Sequence, residues 1–152
     1  MKKFFLLTLM ISLSFGYKVG DSIENDVATS LGIDPTKIVV VDFFASWCHS
    51  CKKEIPLIAK LNMRINKNII DIIGIDVDRK LQDGLDFQAS LKANNSLNFR
   101  VINDTNSKII TKFKPIGMPA LYIIKENKVV DLIYGAVDNI DSTLLRKLEQ
   151  LQ

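Results

Sequence analysis

The chain has 152 residues, of which 47% are hydrophobic and 24% are charged, and its formal net charge is +3 at pH 7. These values are typical of one globular domain with an apolar core. So small a net charge excludes the strongly basic surface with which proteins bind nucleic acid or anionic lipid.

The first 16 residues have the pattern of a secretory signal peptide. Lys2 and Lys3 precede a short apolar stretch that ends at the small residue Gly16. The stretch is shorter than the ~20 residues that cross a bilayer as a helix, which favours cleavage over an N-terminal membrane anchor. Its removal leaves 18 basic residues against 17 acidic ones. We therefore predict a signal peptide over residues 1–16, one domain over residues 17–152, and export to the periplasm.

The first half of the predicted domain contains a strand, a helix and a second strand. Residues 17–37 are polar and rich in turn formers, which predicts a leading segment on the outside of the domain. Residues 38–44 are β-branched or aromatic almost without alternation, which is typical of a strand covered on both faces. A helical pattern follows, with Pro56 expected to kink it. Residues 69–77 form a second apolar run, and this strand–helix–strand order predicts parallel pairing.

The second half predicts a helix, a strand, a hairpin and a closing helix. The helix over residues 81–91 is expected to be broken at Gly84, and a short strand covers residues 99–102. Two apolar segments, residues 120–124 and 129–134, predict an antiparallel hairpin with Asn127 at positive φ in its turn.

The closing helix is predicted to begin after Gly135, where Asp141 or Ser142 could cap it. Its leucines recur at helical spacing and define one apolar face.

The only two cysteines, Cys48 and Cys51, lie where the first strand gives way to the first helix. A helix N-terminus favours thiolate over thiol, and two thiols at this spacing are within reach of each other. So short a ring stabilises a fold little, which favours a redox centre over a structural disulfide. We predict thiol–disulfide exchange, with Cys48 as the exposed nucleophile and Cys51 as the more buried resolving thiol. Residues 52–54 are predicted to be solvated helix positions.

Three polar residues near the cysteines are candidates for tuning them. Asp42 lies inside the first apolar strand, where an unpaired carboxylate is costly and its pKa should rise. His49 either stabilises the thiolate of Cys48 as an imidazolium, shifting the pair towards oxidation, or is an exposed linker without a role. Ser50 either donates a weak hydrogen bond to sulfur or is a small spacer.

The order of elements and motifs resembles the thioredoxin fold over about residues 36–151. The resemblance rests on Trp-Cys-x-x-Cys at a helix start and on Met118-Pro119 before the hairpin. Within that superfamily, residues 44–56 carry Trp-Cys-x-x-Cys-x-x-Glu-x-Pro and resemble the exported TlpA/ResA/CcmG branch, as do residues 74–78 and 116–119. This implies an α/β thioredoxin fold with a central mixed β-sheet flanked by helices, and no cofactor or metal.

The resemblance also implies roles for individual residues. Asp42 would lie beneath Cys51 and take its proton through a water molecule. Pro119 would be cis, in a loop that offers backbone groups to an extended substrate. Trp47 and Met118 would supply an apolar contact surface for that substrate.

By the same resemblance, the chain would reduce selected protein disulfides, with apocytochrome c as the first substrate class to test. A membrane thiol-reducing system of DsbD/CcdA type would recharge it. Ala120 departs from the Glu that is frequent in cytochrome c maturation, and Ser50 departs from the proline of many reductases. A disulfide-donating oxidase of DsbA-like direction is therefore an alternative. A copper(I) metallochaperone that uses Cys48, Cys51 and His49 is another.

Overall fold

The computed structural model describes residues 15–152, so that most of the predicted signal peptide lies outside the described residues. Five strands form one sheet in the order β3-β2-β1-β4-β5. The strands are β1 (Ile38–Phe44), β2 (Ile70–Asp76), β3 (Arg100–Asn103), β4 (Ala120–Lys125) and β5 (Lys128–Tyr134). The helices are α1 (Asn25–Leu31), α2 (His49–Asn62), α3 (Leu81–Ala93), α4 (Ile110–Phe113) and α5 (Ile140–Leu151).

Strand β1 is the central strand, and all seven of its residues are buried. It pairs in parallel with β2 and antiparallel with β4, so the sheet is mixed. A strand covered on both faces has no polar face, which explains its unbroken β-branched and aromatic sequence. The predicted fold class, a central mixed sheet flanked by helices, is confirmed.

Alternate residues of β1 face two separate layers of core. Val40 and Phe44 belong to the layer formed with α2, α3 and α5. Val39, Val41 and Phe43 belong to the layer formed with α1 and α4. Because Asp42 shares the parity of Val40 and Phe44, its side chain lies on the same face of the sheet as α2.

The predicted hairpin is confirmed, and its turn consists of two residues at positive φ. Glu126 has φ 52° and Asn127 has φ 57°, and they join β4 directly to β5. Two consecutive residues of positive φ give the turn a twist that matches the twist of the two flanking antiparallel strands.

Some of the predicted helices differ from those observed. Residues 17–37 are not only a surface segment, because α1 packs Val27 and Leu31 into the core.

Helix α5 begins after Asn139, which has a φ of 57° and makes no side-chain cap. The predicted capping of this helix by Asp141 or Ser142 is therefore wrong. Both residues lie inside the helix, where Asp141 complements the positive end of the helix dipole.

The predicted break at Gly84 is also wrong, because Gly84 lies inside the continuous helix α3. A Cβ on Gly84 would stand 2.7 Å from Oδ2 of Asp76. The glycine therefore lets α3 approach β2 closely, and this packing outweighs its low helix propensity.

We predict that Gly84→Ala lowers the free energy of unfolding by about 1–3 kcal/mol, because the added methyl group overlaps a buried carboxylate. The higher helix propensity of alanine, worth about 1 kcal/mol, acts in the opposite direction. Urea unfolding of the oxidised protein measures the difference. Lys92→Ala, at an exposed position of α3, is the control and should stay within about 0.5 kcal/mol of the wild type. An equal or greater stability of Gly84→Ala would contradict the packing argument.

Candidate active site

The two cysteines lie at the start of α2, just beyond the end of β1. Cys48 is the N-cap residue, with extended backbone angles, and α2 begins at the next residue. The cysteines form a disulfide with an Sγ–Sγ distance of 2.09 Å and a Cα–Cα distance of 5.3 Å. The backbone N–H of Cys51 also donates to Sγ of Cys48 at 3.2 Å. After reduction, that N–H and the helix dipole would both favour the thiolate of Cys48.

The two sulfur-bearing residues differ in how far they reach solvent. Cys48 is 7% exposed and Cys51 is 1% exposed. Cys48 also lines an open groove, whereas Cys51 does not. The structure therefore places the cysteines in the predicted order, with Cys48 as the outer partner, although Cys48 is itself mostly covered.

An open groove of about 530 Å³ runs beside Cys48. Trp47 is 66% exposed at its edge, and Met118 is half-buried in its wall. The Met118–Pro119 peptide bond is cis, as predicted. The rest of the lining comes from the start of α2, the residue after β2, the start of α4 and the loop before β4: His49, Ser50, Val77, Ile110, Pro115 and Gly117. Of the predicted contact residues, Trp47 and Met118 thus line one groove together with Cys48.

Asp42 is a buried carboxylate with no hydrogen-bond partner in the described part of the chain. It is 1% exposed, and neither of its oxygens accepts a hydrogen bond. Burial raises its pKa well above the ordinary value, and repulsion from the nearby carboxylate of Glu54 raises it further. Asp42 therefore lies on the face of the sheet that α2 covers, and it binds a proton more strongly than an exposed carboxylate does.

Glu54 is the functional candidate that the sequence interpretation missed. It was predicted to be solvated, but it is only 4% exposed, and this prediction is wrong. Burial raises the pKa of Glu54 to about 7, and the nearby backbone N–H of Val137 limits this rise. Neither carboxylate oxygen of Glu54 has a hydrogen-bond partner within the described residues. The available signal was spacing, because Glu54 follows Cys51 by three residues and so shares its helix face.

Glu54 lines a second groove, of about 450 Å³, between α2 and residues 136–139. This groove is distinct from the one beside Trp47, although Ser50 contributes to both. Glu54 thus lines this groove and is also close enough to Asp42 to raise its pKa.

The remaining predicted residues lie on the outer surface of α2. His49 is exposed and Ser50 is half-buried. Lys52 and Lys53 are exposed as predicted, and Nζ of Lys52 lies 5.7 Å from the ring centroid of Phe87 on α3. This cation–π contact places the first turn of α2 beside α3.

Residues 15–152 contain no group of three or more His, Cys, Asp or Glu side chains placed to hold a metal ion. None of the helices in this range combines the length and apolar character needed to cross a bilayer.

The chain belongs to the thioredoxin-like family, whose sequence model matches residues 35–130. Among curated proteins, it is 26% identical over 102 residues to the thiol-disulfide oxidoreductase ResA of Bacillus subtilis (strain 168), covering 66% of this chain and 55% of ResA. Its identity to ResA of Bacillus thuringiensis (strain Al Hakam) is 31% over 101 residues, covering 65% of this chain and 56% of that protein. The chain thus spans about half the length of these relatives.

Among solved structures, a Chlorobium tepidum protein provisionally named thiol:disulfide interchange protein DsbE superimposes with a TM-score of 0.73. The identity is 20%, and the match covers 88% of this chain and 96% of that one. At this identity the likeness establishes the fold alone. This likeness confirms the predicted thioredoxin fold. The family model and the ResA relatives support the predicted TlpA/ResA/CcmG branch, and these relatives carry the name of the predicted enzyme class.

We predict that Glu54 makes the oxidised protein less stable as the pH rises. Its pKa is raised in the folded protein, so between about pH 4.5 and pH 7 the folded state holds more protons than the unfolded state. The free energy of unfolding therefore falls through this window, by about 1.4 kcal/mol for each unit by which the pKa is raised. Glu54→Gln should flatten the fall and be more stable than the wild type at pH 8.

Urea unfolding from pH 5 to pH 8 measures this effect in the disulfide form, where no thiol titrates. Glu149→Gln, an exposed substitution on α5, is the matched control and should follow the wild type. A wild-type profile without a fall, or a Glu54→Gln profile parallel to it, would contradict the burial of the charge.

Proposed function

We propose that the protein is an exported thiol–disulfide oxidoreductase that reduces selected protein disulfides through Cys48 and Cys51. The observation that carries the proposal is the Cys48–Cys51 disulfide at the start of α2, with the Cys51 N–H directed at Sγ of Cys48. The groove beside Cys48 supports a protein substrate, because it is open and has a partly apolar rim.

The first step of the proposed reaction is attack by the Cys48 thiolate on a substrate disulfide. A bond forms between Sγ of Cys48 and one substrate sulfur, and the other substrate sulfur leaves as a thiolate. The Cys51 N–H and the start of α2 lower the energy of the attacking thiolate. The loop that contains Gly117 and Met118 lines the groove, and its backbone is the proposed partner of an extended substrate segment.

The second step is resolution of this mixed disulfide by Cys51. The buried Cys51 thiol must lose its proton before it attacks Sγ of Cys48, and Asp42 is the proposed acceptor. Asp42 has no competing hydrogen bond, and its raised pKa suits it to take a proton from a thiol. The attack releases the second substrate sulfur as a thiolate and leaves the Cys48–Cys51 disulfide, so two electrons pass from the protein to the substrate.

Glu54 is proposed to return that proton to solvent. Its carboxylate raises the pKa of Asp42 by repulsion, and the residue lines the groove between α2 and residues 136–139. A pKa of about 7 allows it to accept and release a proton near neutral pH.

The proposed setting is the periplasm, with apocytochrome c as the first substrate class and a membrane thiol-reducing system of DsbD/CcdA type as the electron source. The signal-like pattern of residues 1–16 supports export, and the ResA relatives support thiol–disulfide chemistry. The substrate class and the electron source follow from the resemblance of residues 44–56 to the TlpA/ResA/CcmG branch. Whether that segment is cleaved or retained as an anchor does not alter the chemistry at Cys48. An oxidising compartment offers no reducing buffer, so the protein would need recharging after each cycle.

The second candidate function is disulfide donation, in the DsbA-like direction. The exposed position of His49 next to Cys48 favours it, because an imidazolium there would stabilise the reduced protein. Copper(I) delivery, which also uses His49, finds no further support in the arrangement of the site.

We predict that the reduced protein accelerates insulin reduction by dithiothreitol and that Cys48→Ser abolishes the acceleration.

The reduction potential of the Cys48–Cys51 pair decides the direction of electron flow. The reductant thioredoxin has a potential of about −270 mV, and the strong oxidant DsbA has a potential of about −120 mV. Equilibration with glutathione or dithiothreitol measures it. A value near that of DsbA would contradict the proposed direction, and failure to accelerate insulin reduction would contradict the proposed activity.

We further predict that Cys51→Ala accumulates mixed disulfides between Cys48 and its substrates, because the resolving thiol is absent. Non-reducing gels of the periplasmic fraction, followed by mass spectrometry, identify the captured proteins. Cys48→Ala with Cys51→Ala is the control and should capture none. Few captured proteins, with cytochrome c precursors among them, would support the proposal, whereas a broad set of secreted proteins would favour the oxidase.

A further inference from the structure

The turn before Cys48 is held by one buried carboxylate, that of Asp78, which lies two residues after the end of β2. The backbone N–H of Ser46 donates to Oδ2 of Asp78 at 2.7 Å, and the Ser46 hydroxyl donates to Oδ1 at 2.8 Å. Within the turn, the N–H of Cys48 donates to the carbonyl of Ala45 at 3.1 Å. Both oxygens of Asp78 are therefore engaged by a residue that lies two positions before the reactive cysteine.

Asp78 is itself fixed by a second buried carboxylate. Its backbone N–H donates to Oδ1 of Asp76 at 3.0 Å, and Nε2 of Gln88 on α3 donates to Oδ2 of Asp76 at 2.8 Å. All three side chains are buried. The residue between the two acids, Val77, donates its N–H to the carbonyl of Phe44 at 3.0 Å and lines the groove. A continuous series of hydrogen bonds thus links α3 to the turn before Cys48.

We propose that Asp78 is a positioning residue that keeps Sγ of Cys48 aligned with the N–H of Cys51. This inference rests on the proposed function, since it concerns the reactivity of the same thiol. The alignment is sensitive to the turn, because Cys48 precedes the first helical residue and its own backbone N–H donates within the turn, to Ala45, and not within the helix. If Ser46 is released, the turn gains freedom and the Cys48 thiolate loses part of its stabilisation.

A direct effect of the Asp78 charge would have the opposite sign. A negative charge near Cys48 disfavours the thiolate, so removing that charge alone would lower the pKa of Cys48. Loss of positioning would raise this pKa instead. The direction of the change therefore distinguishes the two roles.

The experiment compares Asp78→Ala with Asp78→Asn in the reduced full-length protein. Iodoacetamide alkylation of Cys48 is followed by peptide mass spectrometry from pH 4 to pH 9, which gives the pKa and the rate at neutral pH. Asp78→Ala should raise the pKa and slow alkylation at pH 7 by about three- to tenfold, as expected for partial loss of a hydrogen bond to a charged group. Asparagine can still accept from the Ser46 N–H and can donate to its hydroxyl, so Asp78→Asn should react as fast as the wild type or faster.

Asp34→Ala is the matched control. Asp34 also accepts from the backbone N–H and the hydroxyl of a single residue, Thr36, but it precedes the opposite end of β1. Its removal should leave alkylation of Cys48 unchanged. If Asp78→Ala alkylates as fast as this control, or faster, the inference is wrong.

Ser46→Ala keeps the test decisive should Asp78→Ala fail to fold. It removes only the hydroxyl bond, and it should slow alkylation by about twofold without a large change in melting temperature. An alkylation rate equal to or above that of the wild type would overturn the inference. These outcomes are separate from the proposed function, because alkylation needs no substrate: wild-type protein that fails to reduce insulin would defeat the function alone.

Discussion

The hydrogen bond from the Cys51 backbone to Sγ of Cys48 is the interaction on which the chemistry of this protein depends. It forms only if Cys48 caps α2, and Cys48 caps α2 only because β1 delivers the chain to that point. Strand β1 is covered on both faces and paired on both edges, which makes it the most constrained element of the sheet. The rigidity of a buried strand is thereby transmitted to a thiol beside the groove. The turn between β1 and Cys48 contains three residues, and Asp78 fixes the second of them through two hydrogen bonds.

The core layer beneath the disulfide contains two carboxylates that contribute no structural hydrogen bond. Neither Asp42 nor Glu54 has a hydrogen-bond partner within the described residues, although both are buried. Unpaired buried acids are costly, and their raised pKa values express that cost. By contrast, Asp78 has the same charge and similar burial, yet both of its oxygens accept hydrogen bonds. The unpaired acids are suited to hold and release protons, whereas the paired acid is suited to hold backbone in place.

Much of the fold could be predicted from the sequence because its strongest patterns belong to the sheet. Strand β1 has the predicted bounds, and the hairpin turn at Asn127 follows from ordinary turn chemistry. Helix α1 could not be predicted, because its seven residues are mostly polar and tertiary contacts stabilise it. Gly84 was wrongly expected to break α3 for a similar reason. The glycine is needed for a close contact with Asp76, which is distant in the sequence. For the site, the cysteines, Asp42 and Pro119 could be found from motif and pattern. Glu54 was missed because two exposed lysines precede it and its burial depends on how α2 packs.

Placing the nucleophile at a helix start couples two properties of a reductant in opposite directions. A helix terminus that lowers the pKa of Cys48 increases the fraction of reactive thiolate at neutral pH. The same stabilisation applies to the dithiol form of the whole protein and not to the disulfide, so it also weakens the tendency to give electrons away. A faster donor in this architecture is therefore a weaker one. The alignment of the Cys51 N–H with Sγ of Cys48 therefore sets a compromise. Better alignment gives more reactive thiolate at neutral pH but a smaller driving force for electron donation.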